Sequence, residues 1–431
     1  AVGSLPAVTG IISGNNDVTL ITGGALTLNN QINAGTGNIG LQSAAGVTQG
    51  GAGSLTANSL NLQGSGAFTL TNAGNNVNVM GANVIGLLQY TAANGLTVGS
   101  VPAVGIITAI NGITSGNNDI ALITGGALTL NQTVNAGSGN LGLSSNGPVT
   151  QGAAGTITAN NLNLQGSGPY TLTNGGNDVA TLGGTTAGNV QYADANSLTL
   201  GTVPVVGSLP AAGGLTSTLG NITVTNTIGD LTLSSVSAPT GSVNLTATGG
   251  SILGGGGAGP HLTAGAISTL QAPAGVVGTQ AAPINVLVNG GTLGILAGAQ
   301  LAGISGFLTG TVPGNALTLL NAPPGLVCFN GCPVASSPVP GLATGLTGLA
   351  RSTFGYLNPD TIIPAYYPQP SRSVLISDIT SVYMPGTLLQ TSPVSLSSGS
   401  PTVQSMGPKA KAKANCEQGA AASLDAHCTV R

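Results

Sequence analysis

Aliphatic and polar residues alternate in many short segments over residues 1–300. Most of these segments alternate an aliphatic residue with Thr, Asn, Gln or Gly. This period of two predicts β-strands with one buried face. Clear examples are Val18–Thr22, Ala25–Asn29, Asn38–Gln42, Ser59–Gln63 and Phe68–Thr71. No stretch shows a sustained helical period, so we expect an all-β chain with almost no helix.

The pattern is duplicated along the chain. Residues 10–104 align without any insertion with residues 112–206, and a degenerate third copy begins at residue 206. For example, the ten residues Leu20–Asn29 return unchanged as Leu122–Asn131. Gly-Gly, Gly-Ser-Gly and Asn-Ala-Gly-Asn-Asn separate the strands and supply the positive φ angles of tight turns. We therefore assign residues 1–300 to one repetitive domain.

A duplication without insertions favours stacked units, whose length is fixed by the geometry of stacking. Short strands with frequent turns are also compatible with a β-sandwich. However, only 3% of the residues are aromatic, which fits the narrow aliphatic interior of a solenoid better. The sequence therefore predicts a parallel β-solenoid, with about five coils in each repeat if one coil takes roughly 20 residues.

Charge is scarce and unevenly distributed. Only 3% of the residues are charged, whereas about a quarter are charged in a typical soluble domain. Hydrophobic residues make up 41%, which argues against disorder. All six basic residues follow residue 350, so the repetitive domain has no surface for phosphate and we expect no nucleic-acid binding. Apolar stretches such as Gly291–Gly310 are interrupted by Gly, so we expect no membrane span.

The sequence contains no convincing catalytic set, and we expect no enzyme, cofactor or metal site. Asp17 and Asp119 follow Asn-Asn at equivalent turns, where an aspartate commonly caps the turn. A Ca²⁺ site there would need a G-G-x-G-x-D repeat, which is missing. His261 has no acid or Cys near it in the sequence. The Gly-rich run Gly254–Gly257 lacks the Lys of a phosphate-binding loop.

The four cysteines are disulfide candidates. Two local pairs are the simplest arrangement for an oxidising compartment, although four cysteines allow three connectivities. A metal site that includes His427 is the alternative, but the spacing C-x₃-C is uncommon for one. The candidate residues are Cys328, Cys332, Cys416 and Cys428.

Residues 301–431 differ from the repetitive domain. Proline is frequent after residue 312, and four of the seven tyrosines lie between Tyr356 and Tyr383. Because proline removes a hydrogen bond from a central strand, regular coiling is expected to end in this region. We expect a less regular segment that caps the solenoid or takes part in assembly.

Several runs resemble a known family. G-A-L-T-L-N, G-N-I-G-L and the segment Leu262–Val288 resemble filamentous-haemagglutinin-type exoproteins of two-partner secretion systems. The resemblance implies a right-handed parallel β-helix that an outer-membrane transporter exports from a Gram-negative bacterium. It also implies display or release at the cell surface as an adhesin. The chain departs from the family pattern because it has no evident N-terminal secretion domain, which suggests processing or truncation.

These observations predict a secreted structural or adhesive solenoid. Repeat sequence begins almost at residue 1, and an uncovered end of a solenoid invites stacking on another chain. We therefore expect end-to-end self-assembly into an extracellular filament. A monomeric adhesin that binds host or surface glycans is one alternative. An ice-binding solenoid is another, but Thr-x-Thr pairs such as Thr171–Thr173 are not expected in every coil.

Overall fold

A computed structural model describes residues 9–257, 259–299, 304–312, 317–319 and 326–330. These residues contain no helix, and their strands stack as a β-solenoid of about 14 turns. The pairings of the large sheet are parallel, as those between β2 and β5 and between β5 and β7 illustrate (bounds below). The prediction of an all-β solenoid is confirmed. A sandwich is excluded because its two sheets would be antiparallel.

The strands are short, and the four longest turn a corner of the solenoid. In chain order they are β1 Ile11–Ile12, β2 Val18–Thr22, β3 Leu26–Leu28, β4 Ile32–Asn33, β5 Asn38–Ser43, β6 Val47–Gln49, β7 Leu55–Ser65, β8 Phe68–Leu70, β9 Asn76–Ile85, β10 Leu88–Ala92, β11 Leu96–Val98, β12 Ser100–Val101, β13 Ile110–Asn111, β14 Ile113–Thr114, β15 Ile120–Thr124, β16 Leu128–Leu130, β17 Val134–Asn135, β18 Asn140–Ser145, β19 Val149–Gln151, β20 Ile157–Gly166, β21 Tyr170–Leu172, β22 Asp178–Thr186, β23 Val190–Asp194, β24 Leu198–Leu200, β25 Leu215–Ser217, β26 Ile222–Asn226, β27 Leu231–Leu233, β28 Val236–Ala238, β29 Val243–Ala247, β30 Ile252–Gly254, β31 Leu262–Ala264, β32 Ser268–Ala272, β33 Ile284–Val288, β34 Leu293–Ala297, β35 Ile304–Thr311, β36 Leu317–Leu319 and β37 Leu326–Phe329.

One coil has three strands separated by corners, and the next coil repeats it about 21 residues later. Val18 of β2 is in register with Ile39, which is in register with Leu60. Alternate residues point inward, so β29 and β32 show strict alternation of buried and partly exposed positions. The interior is a continuous column of Leu, Ile, Val and Ala. Backbone bonds to the coils above and below hold each coil in place.

Each coil has three sides, one for each strand, and the second repeat begins one side further round the solenoid than the first. The register Leu26, Val47, Phe68, Leu88, Ile120 defines one column of the solenoid. Ile120 begins β15, the repeat equivalent of β2, yet it continues the column of β3 and not that of β2. A repeat therefore spans four coils and one side, so the expectation of about five coils is wrong.

A β-hairpin that leaves the coil accounts for the difference. In the first hairpin (residues 100–111) β12 pairs antiparallel with β13, and Val104 bridges Ile107. It lies against the outer face of the preceding coils. Asn61 Nδ2 donates to the carbonyl oxygens of Pro102 (3.1 Å) and Thr108 (2.9 Å).

The second hairpin (residues 202–213) repeats this arrangement one repeat later. Val203 bridges Ala212, and Asn163 Nδ2 donates to the carbonyl oxygens of Pro204 (3.2 Å) and Pro210 (2.8 Å). Both hairpins therefore dock through an asparagine at the same repeat position. Parallel stacking continues through β35–β37. The rest of the C-terminal region predicted for 301–431 lies outside the described residues.

Candidate functional site

Two aspartates at corners of the solenoid join one coil to the next. Asp17 Oδ1 accepts hydrogen bonds from the backbone N (2.8 Å) and Nδ2 (3.0 Å) of Asn38, one coil further on. Asp119 accepts the same two bonds from Asn140, both at 2.9 Å. The predicted turn position is confirmed, but both carboxylates bond between coils. Within the turn, Asn16 Nδ2 donates to the carbonyl of Ser13 instead.

A shallow polar groove lies beside the Asp119 corner. The stacked corner segments 117–119 and 138–140 line it, together with Leu87 from the coil beneath and Gly207 of the second hairpin. Several of its polar atoms already have partners: Asn117 Oδ1 accepts from the backbone N of Ser138 at 3.2 Å, and Asn118 Nδ2 donates to the carbonyl of Ser115 at 3.0 Å. The groove contains amides and one carboxylate but no aromatic ring. Such a surface can exchange hydrogen bonds with hydroxyl groups.

A buried tyrosine–carboxylate pair occurs in the second repeat. Tyr192 Oη donates to Asp194 Oδ2 (2.7 Å), which also accepts from the backbone N of Val179 (3.0 Å). Burial raises the pKa of Asp194 to about 6, although its hydrogen bonds act in the opposite direction. Nearby Asp178 also raises this pKa. The pair is structural, because both side chains are inside the coil.

Apart from Asp178 and Asp194, no carboxylates of the described residues are found close together. That part of the chain holds five aspartates and neither Lys nor Arg. In the same residues no three His, Cys, Asp or Glu side chains come together in a way that could hold a metal ion. The aspartates are Asp17, Asp119, Asp178, Asp194 and Asp230.

His261 is 5% exposed and lies next to β31. Its Nδ1 accepts a hydrogen bond from the backbone N of Asn285 (3.1 Å), while its buried Nε2 has no partner within the described ranges. Burial lowers the pKa of this imidazole, which favours the neutral form. His261 is therefore buried between coils, where its backbone N donates to Asn285 O and its O accepts from Val236 N.

Only one of the four candidate cysteines falls in the described part of the chain. Cys328 lies in β37, is 3% exposed and is disulfide-bonded. Cys332, Cys416 and Cys428 lie outside the described residues. The choice between the possible pairings therefore stays a prediction.

Threonines form outward-facing rows along the solenoid. Thr97, Thr129, Thr150 and Thr171 follow one another in register on successive coils. The Thr-x-Thr pair at Thr171–Thr173 does not continue, because Gln191 follows Thr171 in the next coil. Double threonine rows are therefore interrupted, as the sequence pattern indicated.

The strands of the first described coil have described partners on one side only. We call strands β1, β2 and β3 with their connecting turns (residues 11–28) the first-coil edge. Within the described ranges these strands pair on one side only, with β4, β5 and β6. Ile11 is 39% exposed, whereas its repeat equivalent Ile113 is 1% exposed. The coil that covers Ile113 has no described counterpart at Ile11.

Two glycines of the first described coil also differ in their surroundings from the equivalent glycines of the second repeat. A Cβ atom added to Gly23 would meet no atom within 4 Å, whereas at the equivalent Gly125 it would lie 2.2 Å from the carbonyl oxygen of Ala93. One at Gly24 is equally free, but one at Gly126 would lie 2.8 Å from the backbone N of Gly95. The first-coil edge therefore has the shape of a surface that elsewhere in the chain receives another coil.

No family model, curated protein or solved structure matches this chain. The described residues include no helix long and apolar enough to cross a membrane. Fold and internal repeats together define the chain as a β-solenoid repeat protein. The resemblance to two-partner-secretion exoproteins stays an expectation.

Proposed function

We propose that the protein is a secreted structural and adhesive solenoid of the bacterial cell surface that assembles end to end into an extracellular filament. The observation that supports this proposal is the parallel stacking of the described coils, in which the strands of one coil pair with those of the next. An unpaired strand edge is a template for another chain. Natural solenoids commonly blunt their ends with polar or charged caps.

The character of the outer surface supports the same proposal. The described residues contain neither Lys nor Arg, and they contain only five aspartates. Net charge of one sign keeps proteins apart in solution, and the chain carries a formal charge of only −3. Little electrostatic repulsion therefore opposes the stacking of two copies.

Electron microscopy of the purified full-length chain over a range of concentrations tests the proposal. We expect unbranched fibres whose mean length grows with protein concentration. Sedimentation of the same samples gives the mass distribution. A chain that stays monomeric at the highest soluble concentration would contradict filament assembly.

The glycan-binding adhesin is the second candidate, and the polar groove beside Asp119 supports it. Sugar hydroxyls exchange hydrogen bonds with amides and carboxylates of this kind. A glycan array probed with the wild-type chain and with Asp119→Ala tests this function. Binding that is lost in the variant supports the groove, and no binding by wild type rejects the adhesin function for the glycans presented.

A further inference from the structure

The polar groove beside Asp119 has hydrogen-bonding groups that the fold does not use. Asp119 bonds to the next coil through Oδ1, and its Oδ2 has no partner among the described residues. Asn117 bonds only through Oδ1 and Asn118 only through Nδ2, so the other polar atom of each amide is also free there. Ser138 bonds through its backbone N, and its hydroxyl has no partner in the same part of the chain. Two acceptors, one amide donor and one hydroxyl are therefore available to a ligand.

An apolar side chain and the tip of the second hairpin complete the groove. Leu87 of the coil beneath is partly exposed, and Gly207 of the hairpin also lines the groove. The groove has a volume of about 440 Å³. Small-molecule sites usually have roughly 300–1,000 Å³. A small polar ligand can therefore place its C–H groups on Leu87 and its polar groups on the corner.

The equivalent corner of the next repeat shows which groups the fold itself requires. Val190 N donates to Asn221 O (2.8 Å) as Leu88 N donates to Asp119 O (3.0 Å), so Asn221 occupies the position of Asp119. Asn221 Oδ1 accepts from the backbone N of Ser242 (2.8 Å) and thus joins two coils as Asp119 Oδ1 does. A single amide oxygen is sufficient for this contact. The second carboxylate oxygen of Asp119 is therefore not required for stacking.

We propose that this groove binds one neutral sugar unit through a pair of adjacent hydroxyl groups. The inference rests on the adhesive part of the proposed function and names the class of glycan. Because a hydroxyl both donates and accepts, one sugar hydroxyl can donate to Asp119 Oδ2 while its neighbour accepts from the amide of Asn117. A hydrogen bond to a carboxylate is stronger than one between neutral groups. The C–H groups of the sugar ring then contact Leu87.

The charge of the groove restricts the class of sugar. Its single carboxylate is negative, and the described residues contain neither Lys nor Arg to offset the charge of an acidic ligand. Two like charges at close range repel each other. We therefore expect the groove to reject uronic acids and sulfated sugars and to accept uncharged hexoses.

Calorimetric titration of the full chain with small sugars tests the proposal. The probes are methyl hexosides and the matching methyl hexuronides, in which a carboxylate replaces one hydroxymethyl group. Asp119→Asn keeps the oxygen that joins the coils, as Asn221 does, but replaces Oδ2 with an amide nitrogen. Leu87→Asn replaces the apolar side chain with the residue that the next repeat has at the equivalent position, Asn189.

Asp230→Asn is the matched control. Asp230 Oδ1 also accepts from a backbone N one coil further on, that of Ser251 (2.8 Å), but the two residues before it are Ile and Gly instead of two asparagines. The variant therefore removes the same charge from a corner that lacks the free amides. Thermal unfolding of each variant checks that it folds.

We expect wild type to bind at least one methyl hexoside about ten-fold or more tightly than its hexuronide, because of the repulsion by Asp119. Asp119→Asn should weaken hexoside binding about ten-fold or more and reduce this preference, because a hydrogen bond to a carboxylate is lost. Leu87→Asn should weaken binding to a smaller degree, and Asp230→Asn should bind as wild type does.

The outcomes separate this inference from the proposed function. Hexoside binding that Asp119→Asn leaves unchanged, or equal binding of the hexuronides, would overturn the assignment to this groove. Binding to glycans on an array without binding of any hexoside would also overturn it, but would leave the adhesive function intact. A wild-type chain that binds no glycan at all would reject both the inference and the adhesive function.

Discussion

At the scale of single residues, the two repeats place tyrosines in different surroundings. Tyr192 Oη donates to Asp194, but the equivalent Tyr90 Oη is buried without a described partner because Ala92 occupies the position of Asp194. An unsatisfied buried hydroxyl costs about 1–3 kcal/mol. We expect Tyr90→Phe to leave stability unchanged or increase it.

Tyr192→Phe, by contrast, should lower the free energy of unfolding by about 1–3 kcal/mol, since it removes a hydrogen bond from a buried carboxylate. Chemical denaturation of both variants measures the difference. The two substitutions delete the same atom at equivalent positions, so each is the control for the other. Equal effects would show that the bond to Asp194 adds nothing.

Asp194 also predicts a dependence on pH. Burial raises its pKa from 3.8 to about 6, so between these values the folded chain holds a proton that the unfolded chain has lost. This contribution therefore favours folding at acid pH, decreases as the pH rises from about 4 to about 6, and is constant above that range.

Asp194→Asn should remove this dependence. Two pKa units correspond to no more than about 3 kcal/mol. The measurement is the difference in melting temperature between wild type and variant across this range, which cancels the contributions of the other carboxylates. The melting temperature of the variant should rise relative to that of wild type as the pH increases from about 4 to about 6. A difference that stays constant over this range would contradict the raised pKa of Asp194.

At the scale of elements, the period-two pattern located strands well. The predicted segment Val18–Thr22 is β2, and Phe68–Thr71 contains β8. The hairpins were missed because they interrupt a coil without interrupting the repeat. Ile11 and Ile113 occupy the same position of the repeat, yet among the described residues Ile11 is 39% exposed and Ile113 is 1% exposed. Exposure depends on the neighbouring coil, which local sequence does not encode.

A glycine on the outer face makes room for each hairpin, and this gives a prediction for the element. A Cβ atom at Gly40 would lie 2.9 Å from Val104 Cβ and 3.0 Å from Ile107 Cδ1. Gly40→Val should displace the first hairpin at a cost of about 1–3 kcal/mol. An isolated hairpin is marginally stable in water.

Hydrogen exchange measures this effect. The amides of Val104 and Ile107, which bond to each other's carbonyls, should exchange faster in Gly40→Val, while the strands of the coils keep their protection. Gly51→Val is the control, because that position is open. Unchanged protection in residues 100–111 would show that the hairpin tolerates the added side chain.

At the scale of the whole solenoid, the hairpins set the relation between sequence repeat and structural repeat. Within the two repeats register partners lie about 20 residues apart except where a hairpin intervenes, as between Leu88 and Ile120. Each repeat therefore turns the pattern onto the next side. Equivalent strands of the two repeats then occupy different columns. The long strands at these points each pair with two later strands: β9 pairs with β11 and β14, and β22 pairs with β24 and β25.

The same construction predicts how the stability of the solenoid responds to salt. Backbone bonds between coils and aliphatic packing hold the described residues together, and that part of the chain has no Lys or Arg for ion pairs. Screening acts on interactions between charges, and among the five aspartates only Asp178 and Asp194 are described as neighbours. Raising sodium chloride from low to physiological concentration should therefore leave the melting temperature nearly unchanged. Scanning calorimetry measures it. A steep fall in the melting temperature with added salt would mean that charge pairs stabilise the fold. A rise would indicate repulsion among the aspartates. Repeating the scan with Asp194→Asn would show whether Asp194 takes part in that repulsion.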